Sequence, residues 1–180
     1  MGARISFSHV GLFVMDLDRM VDFYTKHLGL VVNDRGVTRD GREIAFLSGD
    51  AREHHQVVFA TGRPDDMNFN MVQQLSFRLD SLATLREVYA ALKAEPIVEL
   101  GPITHGNALS AYFRDPEGNR LEVFIDSSWH SPQPLGIPVD LAMSDAEIWA
   151  VVDKAAREMP GSKPRAEWSA ELAKRLEKVN

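Results

Sequence analysis

Tyr112-Phe113-Arg114-Asp115-Pro116-Glu117-Gly118-Asn119-Arg120-Leu121-Glu122-Val123-Phe124, with Ser110-Ala111 ahead of it, decides the fold. Its two ends alternate as strands do, and its middle is turn chemistry, with Pro116 fixing φ at one corner and Gly118 supplying a positive φ at the next. The reading is a β-hairpin. Glu122 is out of place in it, because a carboxylate between Leu121 and Val123 is costly to bury unpaired. Either it faces solvent or something positive meets it.

The 180 residues suffice for one domain, or for two small modules sharing a core. A formal charge of -6, with no basic run, argues against nucleic acid or an anionic membrane as partner and for a small molecule. The absence of cysteine removes disulfides, thiolate catalysis and Cys-ligated metals, so any metal must use His, carboxylate or amide oxygen. No apolar run reaches the length of a signal core or a membrane span, so a cytoplasmic protein is expected.

Around the hairpin the chain repeats itself. Ile5 to Val14 reads as a strand with His9 at its centre, and Asp16 caps a helix bearing Met20, Phe23, Tyr24 and Leu28 that Gly29 ends. Strands follow at Leu30 to Val32, Glu43 to Ser48 and His54 to Phe59. The order β-α-β-β-β then starts again: Gln74 to Leu79 is a strand, Asp80 caps a helix bearing Leu82, Leu85, Val88, Tyr89 and Leu92, Ile97-Val98 is a short strand, and the hairpin closes the module. Two such modules, each too small to bury its own sheet face, imply a shared core and a curved, sheet-lined cavity.

Ser8-His9-Val10-Gly11-Leu12 ahead of an Asp-capped helix, with Tyr112 to Asn119 and Arg120-Leu121-Glu122-Val123, resembles the vicinal oxygen chelate superfamily. That family includes glyoxalase I, fosfomycin and bleomycin resistance proteins and type I extradiol dioxygenases. The resemblance runs from about Ile5 to Asp126 and implies an α+β fold in which two βαβββ modules, about residues 5–62 and 72–126, form a cup-shaped mixed sheet within a domain of residues 1–126. It also implies that His9, from the first strand, and Glu122, from the last, bind one divalent metal. Gln74 holds the third position, where extradiol dioxygenases carry His before an apolar-small-Phe triplet; its amide oxygen is a weaker donor to Fe(II) than imidazole. His55 is the alternative ligand. His54 and His55 are neighbours on one strand, so at most one of them points into the cup, and by the repeat His55 or Gln56 falls near the position matching Glu122.

By the same resemblance Tyr112, ten residues before Glu122 across the turn, hydrogen-bonds a substrate oxygen. His105, read as part of a rim loop at Gly101 to Asn107, moves protons or stabilises an oxyanion. Arg114 is expected in a surface salt bridge. Beyond Asp126 a Pro-rich connector, Ser127 to Pro138, leads to helices opened by a Ser144-Asp145-Ala146-Glu147 capping box and by Pro164, the latter with Trp168, Leu172 and Leu176 in register. Trp129 and His130 line the cavity mouth or pack beside it. This 127–180 extension and the exposed sheet edges suggest a homodimer. The function implied is a ring-cleaving extradiol dioxygenase that uses Fe(II), or Mn(II), and O₂ on a catechol-type aromatic diol. A glyoxalase-type isomerase or lyase, or a non-catalytic drug- or metabolite-binding protein of the bleomycin-resistance type, are the alternatives.

Overall fold

In the computed structural model, which describes residues 6–67, 69–96 and 99–178, the chain is an α+β fold whose residues fall into two units. One comprises residues 6–73 with Arg114–Arg120, the other Gln74–Phe113 with 121–178. The short strand expected at Ile97-Val98 lies outside the described residues.

The first unit runs β1 (Val10–Val14), α1 (Leu17–Leu28), β2 (Val31–Val37), β3 (Glu43–Ser48) and β4 (Val57–Thr61). Its sheet has the order β1-β4-β3-β2, with β1 parallel to β4 and the other pairs antiparallel. Alternation along the strands sorts the two faces. Val14, Ala45, Leu47, Val57 and Phe59 are buried on the α1 side, where the Tyr24 ring meets Phe59 edge-on at 4.8 Å. On the other face Ile44, Phe46, Val58 and Ala60 are half-buried, and Gly11 and Phe13 are exposed. Asp16 caps α1 by accepting from Arg19 N (3.0 Å), and Gly29 ends it at φ 67°.

Two strand boundaries differ from expectation. β1 begins at Val10, whose N–H donates to the Gln56 carbonyl (3.1 Å), so His9 sits just ahead of the strand, on an exposed segment, and not at its centre. β4 begins at Val57, which leaves His54 and His55 in the preceding loop; the opposite-faces rule for neighbouring strand residues therefore does not govern them.

The second unit runs β5 (Leu75–Arg78), α2 (Leu82–Lys93), β6 (Glu99–Thr104), β7 (Ala108–Arg114), β8 (Arg120–Asp126), β9 (Trp129–His130), β10 (Ile137–Pro138), α3 (Asp145–Glu158), β11 (Lys163–Pro164) and α4 (Arg165–Glu177). Its main sheet has the order β10-β6-β7-β8-β5, with β5 parallel to β8 and β10 antiparallel to β6; β9 and β11 form a separate pair. Ser81, not Asp80, caps α2 through Thr84 N (3.1 Å), while Asp80 accepts from the Thr84 hydroxyl (2.6 Å). The expected capping box of α3 is present at Ser144 and Glu147. The connector lacks regular helix, as its prolines require, yet β10 makes it an edge of the sheet. On α4, Trp168 stacks on His130 (4.7 Å between centroids), and Leu176 remains 52% exposed.

The hairpin tip packs inside the first unit. Asp115 is 4% exposed and accepts four hydrogen bonds: Glu117 N (3.0 Å) and Asn119 N (2.8 Å) on one oxygen, Asn119 Nδ2 (2.8 Å) and the Tyr24 hydroxyl (3.0 Å) on the other. Glu117 accepts from Met15 N (2.7 Å) and Asp16 N (2.9 Å) at the entry to α1, with Arg63 Nη1 3.5 Å from its second oxygen. Arg114 donates to the Gly118 carbonyl (2.7 Å) across the tip. Burial, then the neighbouring Asp115 charge, pushes the Tyr24 phenol well above its ordinary value. A phenol whose folded pKa is raised contributes stability that is complete below about pH 10 and lost as pH climbs from there toward the folded value. In urea unfolding, Tyr24→Phe is expected to cost about 1 kcal/mol and to remove this alkaline component. Asp115→Ala, which strands the Glu117 and Asn119 amides and the Tyr24 hydroxyl, is expected to cost about 3 kcal/mol or more.

Candidate active site

Glu122 lies on β8 in parallel register with Ser76 of β5, so Leu121, Val123 and Ile125 point one way and Glu122 the other, together with Ser76. It is 7% exposed, which excludes the solvent-facing reading. Its Oε1 accepts from the Tyr112 hydroxyl (2.7 Å); its Oε2 accepts from the Ser76 hydroxyl (2.5 Å) and from Gln74 Nε2 (3.0 Å). These three donors are all neutral.

His105 continues the line, with Nε2 2.9 Å from the Tyr112 hydroxyl and Nδ1 2.5 Å from the Leu135 carbonyl. A carbonyl only accepts, so Nδ1 carries a proton. Along His105 Nε2, Tyr112 Oη and Glu122 Oε1 there are two contacts and one intrinsic proton, that of Tyr112. Closing both takes one proton more, on His105 or on Glu122.

His105 stands at a tight turn between β6 and β7, because residues 101–104 belong to β6 and not to a rim loop. The turn closes through His105 N to the Ala108 carbonyl (2.9 Å) and Gly106 N to Thr104 Oγ1 (3.0 Å). From the connector, Gln133 donates to the His105 carbonyl (2.8 Å). Gly106 has φ 74°, and a Cβ there would fall 2.4 Å from Ser131 Oγ. An open recess of about 350 Å³ is lined by Gln74, Ser76, His105, Tyr112, Glu122 and Phe124, a size suited to a small organic ligand. A larger recess, about 420 Å³, lies beside α2; its Arg86 is committed to the Leu141 and Met143 carbonyls and to Asp145.

Four of the residues singled out in the sequence, Gln74, His105, Tyr112 and Glu122, therefore meet in one recess of the second unit. His9 is in the first unit, its ring 4.2 Å from that of His55 between centroids. The registers correct the position assigned to His55. Glu122 pairs with Ser76, two residues after Gln74, and the equivalent pair in the first unit is Gly11 with Val58, two residues after His9. Val58, not His55 or Gln56, is the counterpart of Glu122. Trp129 and His130 pack on the tail helices: Trp129 Nε1 donates to Asp153 (2.9 Å), and His130 stacks on Trp168. Ser76, Gln133 and the Leu135 carbonyl were not anticipated. Two-residue spacing from Gln74 on one strand is a signal that finds Ser76, whereas a backbone carbonyl leaves no mark in sequence. Among the described residues, no group of three or more His, Cys, Asp or Glu side chains is arranged to hold a metal ion.

Residues 6–123 match the Glyoxalase/Bleomycin resistance protein/Dioxygenase superfamily, and the chain belongs to it. Over 131 residues it is 30% identical to biphenyl-2,3-diol 1,2-dioxygenase 2 of Rhodococcus globerulus, covering 71% of this chain and 66% of that protein. It is 26% identical over 131 residues to a probable chloroplastic lactoylglutathione lyase of Arabidopsis thaliana, covering 71% of this chain and 37% of that protein. The chain thus spans less than two thirds of the length of either relative. The glyoxylase/bleomycin resistance protein/dioxygenase domain from Frankia sp. EAN1pec superposes with a TM-score of 0.60 at 23% identity, over 69% of this chain and 100% of that one, and shares the fold.

Gly106→Ala forces a left-handed residue to carry a side chain and drives it into Ser131, so the turn that holds His105 must shift. A loss of about 2 kcal/mol is expected in thermal or urea unfolding. An unchanged midpoint would mean that the turn is not anchored by the connector.

Proposed function

We propose that this protein is a metal-dependent, ring-cleaving enzyme of the extradiol dioxygenase type that acts on a catechol-like aromatic diol with O₂. The observation that carries the reading is the hydrogen-bonded line from His105 through Tyr112 to Glu122, in a recess of the size a single aromatic ring requires. The similarity to a biphenyl-diol dioxygenase supports the substrate class.

The donor chemistry fits a divalent cation. Glu122 is a carboxylate that lines an open recess, with three neutral side-chain donors, and carboxylate with imidazole suits Fe(II) or Mn(II). Glu122 and, on the family resemblance, His9 would hold it. Gln74, which the family resemblance assigns to the third ligand position, has its amide nitrogen donating to Ser76 (2.9 Å) and Glu122. When bound, the metal supplies Lewis acidity toward two adjacent diol oxygens and redox chemistry toward O₂. The residues of the recess do the rest: Tyr112 offers its hydroxyl to a substrate oxygen, and His105, linked to it, takes or returns the diol proton at Nε2.

Fe(II)-loaded protein is expected to consume O₂ with catechols and to form a yellow ring-cleavage product. His105→Ala and Tyr112→Phe should each lower kcat by roughly 10²-fold at unchanged iron content, since general acid–base groups contribute on that scale. Iron-loaded protein inert toward a broad panel of catechols would overturn the reading. Gln74 favours a second one, a non-catalytic binding protein for a planar small molecule, because its carboxamide is spent on Glu122 where an imidazole would bind metal. Protein purified without chelator and free of Fe, Mn, Ni and Zn would support that alternative.

A further inference from the structure

The chain after β8 closes on the turn that carries His105. Ser127 Oγ donates to the Gly106 carbonyl (2.6 Å) and Ser127 N to the Asn107 carbonyl (3.0 Å). Ser131, fully buried, sits so near that a Cβ on Gly106 would fall 2.9 Å from its own Cβ. Gln133 then ties three places together: its Nε2 donates to the His105 carbonyl (2.8 Å) and to the Ser131 carbonyl (3.1 Å), and its Oε1 accepts from Leu135 N (3.0 Å). Gln133 lines the recess, yet both its N–H groups are spent on backbone carbonyls and not offered to a ligand. The Leu135 carbonyl, so placed, accepts from His105 Nδ1. The tail holds the connector in turn. β9 pairs with β11, Ser162 Oγ donates to Ser131 Oγ (3.1 Å), and Arg165 N donates to the Ser128 carbonyl (2.8 Å).

A neutral imidazole has one N–H, and the bond made by one ring nitrogen decides the state of the other. With the proton pinned on Nδ1, the lone pair is on Nε2, 2.9 Å from the Tyr112 hydroxyl, and Nε2 is the nitrogen able to take a proton in the recess. Released from the Leu135 carbonyl, the ring is free to carry its proton on Nε2 instead, and in that form it has nothing to accept with on the recess side. We propose that Gln133 is a positioning residue: by holding the Leu135 carbonyl against the His105 ring it locks the tautomer whose Nε2 lone pair faces Tyr112. The segment after β8 is then part of the working recess and not only a covering of the sheet. The proposal rests on the proton-transfer role given to His105 above, while the tautomer itself is read from the ring nitrogens without any turnover.

The test is ring nitrogen-15 NMR of the full-length chain labelled on histidine, with diamagnetic Zn(II) present in place of iron, at about pH 8.5, well above the ordinary imidazole pKa of about 6.5. The His105 signals are those missing from His105→Ala. Wild-type protein is expected to show His105 protonated on Nδ1 with a lone pair on Nε2. Gln133→Ala, at an exposed residue and so with the fold retained, should move His105 toward the Nε2–H form. In the Fe(II)-loaded enzyme the same variant should lower kcat toward catechols about 10-fold with KM unchanged, a part of what removing the imidazole would cost. A wild-type ring protonated on Nε2 would overturn the lock, and so would a Gln133→Ala ring in the same state as the wild type. A wild-type chain inert toward catechols that nonetheless shows the Nδ1–H ring, lost in Gln133→Ala, would bear out the lock and overturn the dioxygenase reading alone.

Discussion

The four hydrogen bonds converging on Asp115 fix the hairpin tip, and much of the second unit follows from that tip. The carboxylate holds the Glu117 and Asn119 amides in a closed turn, so the number of residues between β7 and β8 is set and so is their register. That register brings Tyr112 and Glu122, ten residues apart, to 2.7 Å from one another. A turn longer or shorter by one residue would reverse the face of one partner relative to the other. The chemistry of the recess thus depends on a polar cluster that takes no part in it.

Three buried carboxylates line this short segment, and each is accommodated differently. Asp115 relies on its own turn and on Tyr24, with burial pushing its carboxyl up against the lowering effect of those hydrogen bonds. Glu117 has two backbone N–H groups at the mouth of α1, where the helix dipole favours negative charge, and a buried guanidinium close by. Glu122 accepts from three side chains, Tyr112, Ser76 and Gln74, and from no backbone N–H among the described residues. Of the three it is the one that lines the recess.

The helices and the hairpin were legible because their signals are local. Asp16 and Gly29 bracket α1, Ser144 and Glu147 open α3, and the Pro116 to Gly118 turn announces itself. The two-module order was legible as well, from the repetition of strand and capped helix. Strand ends were harder, since the apolar character of Ile5 to His9 and the β-forming residues after His54 do not reveal where pairing with a distant strand begins. The same limit applied to register, which alone identifies Val58 as the residue matching Glu122. Convergence of Gln74, His105, Tyr112 and Glu122 could be inferred from family resemblance, but Ser76 as a donor and the Leu135 carbonyl as the anchor of His105 come from pairings that sequence spacing does not carry.

The parallel pairing of the first and last strands in each module bears on how the chain is made. β1 pairs with β4 and β5 with β8, so neither sheet is complete until the final strand of its module has left the ribosome. Tyr24 waits longer still, because its hydroxyl partner is 91 residues downstream. During synthesis the first module therefore emerges before Asp115 and Glu117 have been made, a state in which unpaired edges and apolar surface remain open to chaperones and to neighbouring nascent chains.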